Sequence, residues 1–131
     1  MTSITRLGWV AFAVASTLGA QEWRSYGGDA GGTKYSKLDQ INRNNVAKLK
    51  VAWTYHTGDS SDGRTNPSRS AFEATPLVVD GVMYVTTSFG RLVAIEAETG
   101  KRLWDFDPKL ARDRNYNLFI NRGASFWTDS M

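Results

Sequence analysis

The chain has 131 residues, 41% apolar, 22% charged and 12% aromatic, with 5 Trp, 12 Gly and 3 Pro; this excludes a disordered polyelectrolyte and a collagen-like or low-complexity chain. With 0 Cys and 1 His, a disulfide scaffold, a thiolate zinc site, a Cys nucleophile and a poly-His metal site are all excluded. The net charge is +3, from 16 basic residues interleaved with 13 acidic ones; no basic cluster marks a nucleic-acid face, so no nucleic-acid partner is expected.

Residues 1–20 carry Arg6 as their sole charge, and the run Leu7 to Gly19 is mostly apolar and uncharged. A basic start, a short apolar stretch and a small residue at Ala20 predict a secretory signal peptide over 1–20. That implies export, and it leaves an uncleaved anchor and membrane association open. From Gln21 to Lys37 (QEWRSYGGDAGGTKYSK) the glycines predict an ordered coil anchored by Trp23, Tyr26 and Tyr35. Gly27 to Gly32 lacks the spacing of a phosphate-binding loop and reads as a turn. LDQINRNNVAKLK then predicts a short helical turn, with Asn42 as its N-cap and Val46 and Leu49 on one face.

VAWTYHTG alternates in polarity, with Val51, Trp53 and Tyr55 on one side, and predicts a strand. His56 within it reads as a structural or surface histidine rather than a base. The polar loop Asp59 to Ser70 is long enough to suspect function, yet its D-x-x-D-G spacing at Asp59 and Asp62 fails the EF-hand pattern. Beyond it, four β-runs (Leu77–Val79, Val82–Val85, Leu92–Ile95 and Leu103–Phe106) alternate with turns at Asp80-Gly81, Phe89-Gly90-Arg91 and Glu98-Thr99-Gly100-Lys101. These predict one antiparallel four-stranded sheet. LKVAWTYHTG around Trp53 partly repeats in KRLWDFDPK around Trp104, 51 positions later. A period near 50 with four strands per unit is that of a β-propeller blade. One blade cannot bury both faces of its sheet, so the expected fold class is all-β: an N-terminal segment and about one blade of an incomplete propeller.

AIEAETGKRLW (Ala94 to Trp104) resembles the blade motif of the quinoprotein dehydrogenases that use pyrroloquinoline quinone (PQQ), with Glu96 where that motif usually has Asp. WRSYGGDAGGTKYSKLDQINRNNVAKLKVAWTYHTGD, FEATPLVVDGVMYVTTSFGRLVAIEAETGKRLWDFDP and NRGASFW extend the resemblance over nearly all of residues 22–128. It implies an eight-bladed propeller in the complete periplasmic protein, with residues 21–131 its N-terminal part. In that family the Trp of the motif docks between neighbouring blades and Thr-Gly makes the tight turn. The resemblance also implies two cofactor contacts in this chain, Glu73 in FEATPLVVDG and Arg122 in NRG. Both choices suit the cofactor: a guanidinium forms paired charge-assisted bonds to a tricarboxylate, and a neighbouring carboxylate holds a polar ring edge or a cation.

The resemblance further implies a calcium ion that polarises the quinone, a carboxylate base, hydride transfer from a sugar or alcohol, and an external electron acceptor (a quinone or a cytochrome). The base and the calcium ligands are expected outside residues 1–131, so no catalytic or metal residue is assigned within them. Alcohol-oxidising relatives often carry a vicinal cysteine pair before the NRG segment; here ARDRNYNLFI contains none. That favours the glucose-dehydrogenase-like branch, with a quinone-dependent alcohol dehydrogenase as the alternative enzyme. The alternative outside enzymology is a cofactor-free propeller that binds or scaffolds other proteins.

Overall fold

A computed structural model of the chain describes residues 22–129. The expected signal peptide lies outside the described residues. Four strands form one antiparallel sheet in chain order: β1 (Leu77–Val79), β2 (Val82–Thr86), β3 (Leu92–Glu96) and β4 (Arg102–Phe106). The apolar and β-branched runs thus form the strands expected of them. At the first turn Asp80 and Gly81 have φ of 50° and 76°, the positive pair that a two-residue hairpin needs to match strand twist. Register follows from it, with Leu77 opposite Tyr84 and Val79 opposite Val82. β3 and β4 slip at Ala94/Ile95, where an irregularity breaks the ladder.

Alternation gives the sheet two different faces. On one, Val85, Val93 and Ile95 form the buried core, covered by Trp53, Tyr55 and Met83. On the other, Tyr84 packs against Trp104 with ring centroids 5.9 Å apart. There an open apolar cleft of about 290 Å³ lies between Leu77, Leu92 and Trp104 and the passing segment Ala124–Trp127. β4 is the exposed end: Leu103, Trp104 and Phe106 all remain in water. The outer edge of β1 is partly covered, because Trp23 and Val78 exchange backbone bonds of 2.8 and 2.9 Å.

The strand expected at VAWTYHTG does not form a ladder; residues 51–58 have no strand partner among the described residues. Its alternation survives as burial. Trp53, Tyr55 and Thr57 are half-buried, whereas Ala52, Thr54 and His56 are exposed. Val51, expected on the same side as Trp53 and Tyr55, is 81% exposed and takes no part in the core they cover. Trp53 covers the β3–β4 turn: its Nε1 donates to the Ala97 carbonyl at 3.0 Å. A Cβ on Gly100 would lie 2.5 Å from the indole, and Gly100 has φ of 75°. Glycine there serves both the turn and the docking.

Asn42 does not cap the helical turn. The turn is a short stretch of 3-10 helix, Val46–Lys48, preceded by Asn45. Asn42 instead closes a bend: its side-chain oxygen accepts the Asn44 N–H at 3.0 Å and its backbone carbonyl accepts that of Val46. Val46 and Leu49 are both exposed. The glycine-rich segment is the expected ordered turn. Asp29 accepts the Thr33 N–H at 3.1 Å and the Thr33 hydroxyl, and Lys34 donates its N–H to the Gly27 carbonyl at 2.8 Å.

Candidate functional site

Glu73 and Arg122 lie far apart in sequence and come together through two short segments that run side by side. Parallel bridges join Ser70 to Phe119 and Thr75 to Gly123. Ala71 donates to the Phe119 carbonyl at 3.0 Å, and Phe119 donates to the Arg69 carbonyl at 2.8 Å. Between the bridges, Arg122 Nη1 stands 3.2 Å from Glu73 Oε2, with side chains 82% and 44% exposed. Gly123 permits the close passage: its φ is 128°, and a Cβ would sit 3.4 Å from the Thr75 carbonyl oxygen. Its N–H donates to Asn121 Oδ1 at 2.9 Å, which fixes the bend just after Arg122.

The floor under these segments is aromatic. Phe89 and Phe119 are almost fully buried and meet edge-to-face at 5.0 Å. Tyr116 leans on Phe119 at 5.1 Å, and the Arg112 guanidinium sits 4.3 Å from the centre of the Phe89 ring. Such geometries match ring edges and cations to π faces. The polar loop is pinned to the same region. Ser68, buried, donates to the Tyr116 carbonyl at 2.5 Å and accepts the Tyr116 N–H at 2.7 Å.

Phe89 is carried by the β2–β3 turn, and that turn is held by a buried carboxylate. Asp59 accepts Arg91 Nε at 2.7 Å and also the Thr87 hydroxyl. Arg91 additionally donates to the Thr57 carbonyl and reaches Asp105 at 3.4 Å. The hydrogen bond to Asp59 raises the Arg91 guanidinium above its ordinary pKa, against the opposing effect of burial, with further attraction from Asp105. In the sequence Asp59 stands at the head of a polar loop whose spacing fails the EF-hand pattern, and nothing within that loop marks it as buried. Its signal was its place in the alternation after Trp53, Tyr55 and Thr57, which carries the inward side of the segment to position 59.

The donor set suits an anionic planar ligand. Apart from the single approach to Glu73, the Arg122 fork has no other ion-pair or hydrogen-bond partner among the described residues. Its outward N–H groups can therefore meet a carboxylate side-on. The apolar cleft on the Tyr84–Trp104 face contains neither residue and no charged side chain. Its lining is mostly apolar, with no cation to meet such a ligand. His56 is exposed beside a second open cleft with Tyr55, Ser60 and Phe72.

A four-stranded antiparallel sheet stands beside two bridged segments that carry an arginine–carboxylate pair over aromatic packing. The family model for the β-propeller domain of glucose/ethanol/alcohol dehydrogenases of the PQQ group matches residues 23–131. The chain belongs to this family. It is 44% identical over 109 residues to the dehydrogenase subunit of the quinone alcohol dehydrogenase of Gluconobacter oxydans, covering 81% of this chain and 13% of that protein. It is 38% identical to quinoprotein glucose dehydrogenase A of Acinetobacter calcoaceticus, covering 81% and 13%. The crystal structure of quinohemoprotein alcohol dehydrogenase from Comamonas testosteroni superimposes with a TM-score of 0.60 at 40% identity, over 73% of this chain and 13% of that one. The chain thus spans a small part of the length of the relatives it matches.

Proposed function

We propose that this chain forms one wall of the PQQ site in a longer quinoprotein dehydrogenase, exported to the periplasm, that oxidises a hydroxyl group of a sugar. The observation that carries the reading is the Glu73–Arg122 pair, set between two parallel bridges with the guanidinium facing outward. When bound, PQQ supplies the two-electron acceptor for the oxidation. Arg122 holds a carboxylate of the cofactor through its fork. Glu73 keeps that fork oriented and offers its remaining oxygen to a polar ring edge or to the calcium ion expected beside the cofactor. The two bridges prevent either segment from swinging away. A base and calcium ligands are supplied by residues beyond this chain, and an external quinone or cytochrome takes the electrons.

The sugar reading rests on the absence of a vicinal cysteine pair before Asn121. A second reading, oxidation of a simple alcohol, is favoured by the higher identity to the Gluconobacter alcohol dehydrogenase than to the glucose dehydrogenase. One experiment separates them. The complete protein containing this chain is reconstituted with PQQ and calcium and supplied with an artificial electron acceptor. Faster turnover on aldoses than on short alcohols supports the first reading, and the reverse supports the second. No PQQ-dependent turnover on either class contradicts both.

A further inference from the structure

We propose that Ser88 and Phe89, at the tip of the β2–β3 turn, are positioning residues for the Arg122–Glu73 pair, locked from behind by Asp59. The proposal rests on the cofactor reading of that pair. An ion pair this exposed contributes little on its own, since ordering two long side chains in water offsets most of the attraction, so Glu73 can orient the Arg122 fork only if both backbones are held. The alignment of the pair therefore depends on the backbone segments that carry it.

Those segments are each gripped by one residue of the turn. The Ser88 hydroxyl donates to the Ala71 carbonyl at 2.9 Å, two residues before Glu73. The Phe89 ring packs edge-to-face on Phe119 at 5.0 Å, three residues before Arg122. Ser88, Phe89 and Phe119 are 4%, 2% and 1% exposed, so neither grip is loosened by solvent. The turn itself is closed by backbone bonds between Thr87 and Arg91 at 2.8 Å and between Gly90 and Thr87 at 2.9 Å. Asp59 then ties Thr87 and Arg91 to the segment running from Trp53. One turn therefore sets the spacing of two segments distant in sequence, and does so through buried contacts. This is how a supporting shell fixes a binding constellation without touching what is bound.

The test is a double-mutant cycle on cofactor affinity in the complete protein. The apo-proteins of the wild type, Ser88→Ala, Glu73→Gln and the double variant are titrated with PQQ in the presence of calcium. Quenching of tryptophan fluorescence gives Kd, and the melting temperature of each apo-protein is recorded in parallel. The expected result is a Kd about 5-fold weaker for Ser88→Ala, the worth of one net hydrogen bond, but less than about 2-fold further weakening when Glu73 is already Gln. Equal weakening in both backgrounds, or none in either, overturns the positioning role. If Glu73→Gln alone leaves Kd unchanged, the cofactor role of Glu73 falls, and its positioning by Ser88 falls with it. A second cycle, Phe89→Leu with Arg122→Lys, reads the other grip in the same way and decides the matter if Ser88→Ala fails to fold.

Discussion

Asp59 and Arg91 show how a loop acid becomes part of the interior. The segment DSSDGRTNPSRS is polar throughout, yet the Asp59 side chain is 5% exposed and the Arg91 side chain 16%. Desolvating both is costly, and the balance depends on completing every bond, as the Thr87 hydroxyl and Thr57 carbonyl do here. Arg91→Met in the complete protein is predicted to cost about 3 to 5 kcal/mol, because it leaves a buried carboxylate without its cation. Denaturant unfolding checks this, and a loss below about 1 kcal/mol would place the pair among ordinary surface bridges. Asp29 is the opposite case, exposed but held below the ordinary carboxylate range, chiefly by the Thr33 hydroxyl and then by the Thr33 N–H. A lowered carboxyl contributes stability above its unfolded pKa and loses it as pH falls through its folded pKa. Protection of the Thr33 amide from hydrogen exchange is therefore expected to fall in acid below the ordinary carboxylate range. In Asp29→Asn that acid-dependent fall should be absent.

At the scale of elements, the four strands were legible because each is an apolar run bounded by a turn with its own chemistry, Asp80-Gly81 most clearly. The segment 51–58 was legible in period but not in pairing. Alternation reports which side faces a core, whereas a ladder needs a second backbone, which no local pattern supplies. The helical turn falls within the segment expected for it, but its cap does not, because Asn42 and Asn45 both offer an oxygen and competition between neighbouring Asn side chains decides which bend forms. The docking of Trp53 on the β3–β4 turn gives a prediction at this scale. Trp53→Ala removes the cover over Val85, Val93 and Ile95 together with the bond to Ala97, and should cost about 3 kcal/mol. Gly100→Ala should also destabilise, since its Cβ meets the indole and its φ is positive. Thermal melting of the complete protein checks both; an unchanged midpoint for Gly100→Ala would mean that Trp53 is free to move.

For the whole molecule, the sequence pointed to a propeller piece because Trp53 and Trp104 recur 51 positions apart around four strands, and one such sheet cannot bury both of its faces alone. The structure agrees: Trp53 and Tyr55 close one face, and Tyr84, Trp104 and Phe106 line or flank the open one. Excised and expressed alone, residues 22–131 are expected to self-associate through that face and the β4 edge; a monodisperse monomer in light scattering would refute this. Glu73 and Arg122 were found through the resemblance of FEATPLVVDG and NRG, while their pairing was not legible, since it depends on the parallel bridges at Ser70 and Thr75. The central claim is that this pair holds the quinone, and the most direct measurement is the PQQ affinity of the complete apo-protein with Arg122 replaced. Arg122→Ala should weaken Kd by about 10- to 100-fold, the worth of charge-assisted bonds, and Arg122→Lys should recover only part of it because an ammonium lacks the planar fork. A Kd for Arg122→Ala within about 2-fold of the wild type, against the loss expected for a charge-assisted contact, would contradict the account.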